Sequence, residues 1–556
     1  MAIENQVTYP LTEEVDFVIV GSGSAGGILA KELSSAGFKT VVLEQGPFRV
    51  AADFSHDEFD VAILNGLGGG PAAVNGQTFR DDESKVAAPA QGRPPAWYSK
   101  GVGGSSVHFT ANFWRLREID FNERSVLGSI EGTNFTDWPI SYDELEPYYT
   151  RVDWEIGVSG APGPFDSPRS KPFPMPPMAI KSSGALLEKG AEAIGFHAQP
   201  APLAILSQPH NGRPSCIHCG YCMGYGCEVN AKSSTLAAMI PQAIASGNCE
   251  VRAESTVFNL VTGADGKVTE VQYIDSSGNE VGQKTRAVVL AANGAETPRL
   301  LLMSASSMNP DGLSNANGVV GRNLMLNAHA NVTGVFERRL NDYKGVQVTR
   351  IVHDLYESDP KRGFYGGGGY DARPFLAATP ILYSMASQNP DKPSWGAEFK
   401  DRLAHNFTRQ MSILVNATSL ALDRNNISLD PNHSDEFGRP AIRMTYRDHD
   451  DDLANANYML GFAEQMMEAA GAVEQWSQES EPQNGGAHLL GTCRMGDDPE
   501  TSVVDRFHRS HEVDNLFICD GSSMVTSGRG QPTMTIMALA FRAAEHIADA
   551  ARTNSI

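Results

Sequence analysis

Cys216, Cys219, Cys222 and Cys227 crowd four thiols into residues 216–227 of a chain that has 7 cysteines in all. Thiolates are ligands for soft metals, so the loop reads first as a metal centre. Disulfides fit poorly, because cysteines so close in sequence would close strained loops and a large chain with an ample core needs no such staples. Zinc suits four thiolates, but zinc ribbons separate their Cys-x2-Cys pairs by about 12–20 residues so that two knuckles face each other. The spacing here is x2, x2, x4 in one loop, which resembles the wrapping of an iron–sulfur cluster. That reading ranks above structural zinc and above unoccupied thiols. Gly220, Gly224 and Gly226 provide the bends such a loop needs.

A second chemistry is written near the amino terminus. Gly21, Gly23 and Gly26 form a G-x-G-x-x-G turn after the apolar run 15–20 and before a helical stretch to about residue 36. A further strand, 40–43, ends at Glu44. In that context the glycines let the backbone approach a pyrophosphate, the helix start offers amide donors, and the acid can hold ribose hydroxyls. Glutamate at that place favours FAD or NAD over NADP. Further small-residue loops recur downstream, at Gly103, Gly104, Ser105 and His108, at Ala292 after the strand 287–290, and at Asp520 and Gly521 after 516–518. Loops so widely spread imply one long cofactor, as an extended FAD would be.

The elements that must position these loops alternate strand and helix, which predicts an α/β chain. Its 556 residues, 41% hydrophobic, suffice for a large core. A net charge of −22 argues against nucleic acid and against anionic lipid as partners. No apolar stretch reaches the 18 residues of a membrane span, and residues 1–14 lack the basic start and apolar middle of an export signal. The proline-rich segment 158–178 predicts an extended surface excursion, and Gly366 to Gly369 a flexible loop near a substrate mouth.

With its fingerprint, its Gly-Val-Gly-Gly-Ser-Ser loop and its ending His488-Leu-Leu-Gly-Thr-Cys-Arg-Met-Gly with Pro532-Thr-Met-Thr-Ile, the chain resembles the glucose–methanol–choline (GMC) family of FAD oxidoreductases nearly end to end. Asp137-Trp-Pro-Ile-Ser-Tyr, Glu146-Pro-Tyr-Tyr and the cysteine loop leading into Ala231-Lys-Ser make it most similar to the catalytic subunits of gluconate, fructose and FAD-dependent glucose dehydrogenases. The resemblance implies a Rossmann-like FAD-binding domain (14–50, 96–125, 216–330 and 512–554) interleaved with an α+β substrate domain (126–215 and 331–511). It adds Val257 to the FAD contacts. It also implies a 3Fe-4S or 4Fe-4S cluster on the four cysteines, a cytochrome c acceptor, and a small partner subunit whose export signal would carry the chain to the periplasm; without one the chain would be cytoplasmic.

Oxidising an alcohol by hydride transfer leaves a hydroxyl proton to remove, and imidazole suits that task near neutral pH. The resemblance gives the role to His488. Where the family usually carries asparagine or histidine as partner, this chain has Gln531, which still donates and accepts hydrogen bonds but adds a methylene and a rotor. His108, in the loop expected beside the flavin, reads as a hydrogen-bonding histidine, with covalent attachment the alternative that some family members offer. Cys493 and Cys519 read as buried hydrophobes. The function expected is a dehydrogenase of a sugar, sugar acid or glycoside, passing electrons from FAD through the cluster to a cytochrome or quinone-type acceptor. The polar stretch 331–480, with Arg373, Asn406 and Arg409, suits hydroxylated substrates. An oxidase of longer or fatty alcohols, and a zinc-stabilised flavoprotein subunit without its own substrate, are the alternatives.

Overall fold

Val15–Val20 is buried along nearly its whole length, as suits a parallel strand covered on both faces. In the computed structural model, which describes residues 6–58, 76–90, 94–374 and 388–556, it lies at the centre of a parallel array. Side by side run Cys249–Arg252, Thr40–Leu43, Val15–Val20, Glu280–Leu290 and Leu516–Ile518. Val18 faces Val41 on one flank and Val288 on the other. The helix Gly26–Ser35 returns from the glycine turn to the second strand and packs against the long C-terminal helix Thr533–Arg552. This is the Rossmann-like half of an α/β protein.

Glu280–Leu290 serves two sheets. Its first residues pair antiparallel with Val268–Ile274, which pairs in turn with Thr256–Thr262, while Thr285 to Leu290 lie in the parallel array. The second half of the molecule is α+β. Its antiparallel sheet runs Glu474–Gln478, His329–Val335, Gln410–Ala417, Gly368–Arg373, Arg350–Val352, Ala198–Pro200. The helices Ser182–Ala193 and Asp450–Ala470 cover it, with Leu187, Val332, Ile413 and Met459 in the core between them. His449 caps the longer helix, its Nδ1 accepting the Asp451 amide hydrogen, and the left-handed Gly471 ends it.

Residues 158–178 form no helix or long strand, as the prolines predict; isolated bridges from Ser159 to Met175 and Leu203, and bonds such as Arg169 to Asp153 at 2.7 Å, tie the segment down. The expectation for Gly366 to Gly369 is corrected. All four are buried, and Gly368 and Gly369 open a strand where a side chain would collide with Asn416 and His353. These glycines permit close sheet packing and confer no looseness. Arg409 is also not a site residue, since its guanidinium holds the carbonyls of Glu337 and His405 at the surface. Among the described residues no helix is long and apolar enough to cross a membrane.

Gly461 lies inside the helix Asp450–Ala470 with open space where a Cβ would stand. Gly461→Ala should therefore raise stability by roughly 0.5–1 kcal/mol, the helix-propensity difference, in denaturant melts. An unchanged or lowered midpoint would show that the position is occupied by something the fold does not reveal.

Candidate active site

The three glycines of the first turn do three different things. Gly21 has φ +94°, and a Cβ there would stand 2.5 Å from the Ala291 carbonyl oxygen. Gly26 lets the helix close on that turn, since a Cβ there would collide with the Gly21 carbonyl oxygen. Gly23 meets nothing within 4 Å, so it faces the cleft where a ligand's backbone approach requires a missing side chain. The loop after it comes from far along the chain, and Gly104 packs directly on Gly23: a side chain at Gly104 would bring its Cβ to 2.8 Å from the Gly23 Cα.

Glu44 ties these loops together. Its carboxylate accepts from the Ser22 amide (3.1 Å) and hydroxyl (2.7 Å), from the Gly46 amide (3.1 Å) and from the Gly101 amide (3.3 Å). Ser22 in turn accepts the Gly103 amide at 3.0 Å. Burial holds the Glu44 carboxyl above its ordinary range, against these four donors. At the far strand ends Asp520 does similar work: it accepts from the Thr297 hydroxyl (2.6 Å), the Asn293 amide (3.0 Å) and the Ser522 amide (2.7 Å).

The cleft so framed is open to solvent on one side, and the space between its walls, solvent at the mouth included, is about 1230 Å³. Of the residues singled out from sequence, Gly21, Gly23, Glu44, Gly104, Ser105, Val257, Ala292, Asp520, Gly521 and His488 line it. Gly26 and Gly103 stand one layer behind. His108 and Gln531 are not among its walls. The carbonyl of His108 accepts from the Gly224 amide at 2.7 Å, so this loop is bonded to the cysteine loop, and burial, with Lys232 and Arg49 nearby, pushes its imidazole down to about 3. Gln531 is engaged, its Nε2 donating to Asn416 Oδ1 at 3.1 Å.

His488 closes one end of the cleft in a fixed tautomer. Asn327 Nδ2 donates to the Ala417 carbonyl at 2.9 Å, which turns Asn327 Oδ1 toward His488 Nδ1 at 3.1 Å. An amide oxygen only accepts, so Nδ1 carries the hydrogen and Nε2 presents its lone pair. Burial, then His329 and Arg373, push this imidazole down to about 3, so it is neutral at physiological pH and ready to take a proton. No sequence motif marks Asn327, His329 or Asn416 as part of this site, whereas Arg373 stands in the polar stretch singled out from sequence; in the fold Asn327 is left-handed, at φ +61°.

The cysteine loop surrounds a buried amine. Lys232 Nζ donates to the carbonyls of Cys222, of Tyr225 at 2.8 Å and of Phe109 at 3.2 Å, and burial draws its pKa down to about 8 although the thiols oppose that. The thiol of Cys222 is itself driven up to about 12 by burial. Cys216, Cys219, Cys222 and Cys227 are all free, and among the described residues no three histidine, cysteine or acidic side chains converge as a metal-ligand group.

A GMC oxidoreductase family model matches residues 15–329 and a second GMC oxidoreductase family model residues 421–540. The chain belongs to this family of FAD oxidoreductases. It is 34% identical to the 2-methyl-1,2-propanediol dehydrogenase of Mycolicibacterium austroafricanum over 544 residues, covering 96% of this chain and 95% of that one. It is 29% identical to the gluconate 2-dehydrogenase flavoprotein of Pantoea cypripedii, covering 96% and 94%, and 29% identical to the fructose dehydrogenase large subunit of Gluconobacter japonicus, covering 96% and 98%. In fold it is similar to a variant of formate oxidase from Aspergillus oryzae RIB40 (TM-score 0.64, 14% identity, 98% of this chain and 100% of that one). The cleft of this GMC chain fits FAD on its own geometry, with an open cradle at Gly23 where the glycine turn meets the start of the helix Gly26–Ser35.

Because the folded protein keeps His488 neutral, it refuses a proton that the unfolded chain binds near pH 6.5. That contribution is complete above about pH 6.5 and lost as pH falls toward 3, by up to about 1.4 kcal/mol per pH unit. The stability gap between the parent and His488→Gln should accordingly shrink as pH is lowered from 7 to 5 in denaturant melts. A gap independent of pH would mean that the imidazole titrates normally.

Proposed function

We propose that this chain oxidises a hydroxyl group of a small polyhydroxylated compound, a sugar, sugar acid or polyol, with FAD as hydride acceptor. The observation that carries the proposal is the locked His488, whose Nε2 lone pair opens at the end of a cleft built for a dinucleotide. The flavin, when bound, supplies the acceptor for the hydride and its electron pair. The protein's part is to hold the alcohol so that its hydroxyl proton passes to His488 Nε2 while the carbon–hydrogen bond breaks. A base with so low a proton affinity works because loss of the hydride leaves the hydroxyl strongly acidic, so its proton passes to the imidazole as the carbon–hydrogen bond breaks. Asn327 keeps the tautomer and ring orientation through the cycle. The relatives' names, a diol dehydrogenase, a gluconate dehydrogenase and a fructose dehydrogenase, support small hydroxylated substrates.

An iron–sulfur exit for the electrons belongs to this proposal on the cysteine spacing and on one structural feature. The buried Lys232 cation binds the Phe109 carbonyl next to His108 and two carbonyls of the cysteine loop, and it faces thiols whose anionic form it favours. Cys216, Cys219, Cys222 and Cys227 are the residues that would hold such a cluster; as placed they form no ligand shell, so no electron step is assigned to them.

His488→Ala should retain FAD and reduce the rate of flavin reduction by substrate about 10²–10⁴-fold in stopped flow. A loss under tenfold would hand the proton to another residue. Iron and acid-labile sulfide analysis of protein prepared under cluster-assembling conditions checks the second half: both should be present beside one FAD, and their absence removes the relay while leaving the hydride chemistry intact.

A further inference from the structure

A second imidazole stands beside the base. His329 and His488 lie with ring centroids 5.9 Å apart at an interplanar angle of 65°. His329 begins the strand His329–Val335, directly opposite Asn416, the residue that occupies Gln531. Its Nδ1 is 3.2 Å from the Val415 carbonyl oxygen, which can only accept, so Nδ1 is protonated and Nε2 is the bare nitrogen. The same tautomer is therefore fixed twice, by a carbonyl at His329 and by an amide oxygen at His488. Both rings are partly exposed, and neither Nε2 has a partner among the described residues or is sealed away from solvent. Arg373 stands near enough to both to disfavour their charged forms, and burial acts in the same direction on each.

His488 lines the cleft and His329 packs beside it, so two neutral nitrogens that only accept stand on adjoining rings. They are matched by a ligand with two hydroxyl donors on neighbouring carbons, since two O–H···N bonds of about 2.7–3.0 Å, fanning out from adjacent oxygens, span rings at this separation. A monohydric alcohol bonds one nitrogen and leaves the other to water, so it forgoes one of the two bonds that a diol makes. We infer that His329 is a specificity-determining residue which binds the hydroxyl adjacent to the one being oxidised at His488, so that the site selects vicinal diols over monohydric alcohols. Gln531 does not fill this place, because its amide nitrogen is tied to Asn416. The inference rests on the reading of His488 as the base and adds to it the neighbour that sets substrate choice.

The test compares propane-1,2-diol with propan-1-ol on the FAD-loaded protein, its His329→Leu variant and its His329→Gln variant, by steady-state kinetics with an artificial electron acceptor. The parent should favour the diol at least about tenfold in kcat/KM. His329→Leu should collapse that preference, chiefly by raising KM for the diol, so that the ratio of kcat/KM for the diol to kcat/KM for propan-1-ol falls toward one. His329→Gln, which keeps an acceptor, should retain part of the preference. If His329→Leu loses FAD, His329→Phe replaces it as the apolar variant. Equal losses on both alcohols, or no diol preference in the parent, overturn the inference and leave His488 as base untouched. A parent that oxidises neither compound, nor any sugar or sugar acid offered, overturns the underlying reading as well.

Discussion

A buried carboxylate holds this protein's cofactor cleft in shape. Glu44 lies at the end of a parallel strand, taken almost wholly out of water, and it is tolerated there because four donors converge on it. They come from the glycine turn, from the residue two places on, and from a loop more than fifty residues away. Each donor group would be unsatisfied without the acid, and the acid would be intolerable without them. The turn, the loop 101–108 and, through the His108 carbonyl, the cysteine loop thus hang in sequence from one side chain. Asp520 repeats the device at the other end of the cleft, binding the loop that follows Leu290 to the strand Leu516–Ile518.

The same logic runs through the catalytic end. His488 is kept neutral by burial and kept in one tautomer by Asn327, whose own orientation is dictated by the Ala417 carbonyl. Asn416, adjacent to Ala417, restrains Gln531, and its Nδ2 donates to Asp371 at 2.9 Å, which is paired with Arg373. The C-terminal end of one inner strand of the antiparallel sheet therefore fixes the imidazole proposed as the base, its amide support and Gln531. The FAD-binding half supplies a cradle, and the second half supplies the orientation of the chemistry.

What the amino-acid sequence makes legible is local. The glycine turn, the flanking strands 15–20 and 40–43, the acid and the small-residue loops each announce themselves within a few residues, because the constraint that selects them is local backbone geometry. His488 is legible through the motif around it. His329, Asn327 and Asn416 are not, since their meeting is decided by strand register between segments far apart, and register leaves no mark at a single position. Gly366 to Gly369 mislead for the same reason: glycines that admit a neighbouring strand look like glycines that loosen a loop. The cysteine spacing is legible too, but the buried Lys232 amine that the folded loop surrounds is not.

The order of strands in the parallel sheet also governs how the chain is made. Glu280–Leu290 must wait for Leu516–Ile518 to cover its second flank, and the helix Gly26–Ser35 waits for Thr533–Arg552. On a ribosome adding about 5–20 residues per second, the apolar edge of a nearly finished nucleotide-binding half stays open for on the order of ten to forty-five seconds while the second half is synthesised. Nascent chains of this protein thus carry an uncovered apolar flank throughout synthesis of the second half, a surface that chaperones can bind.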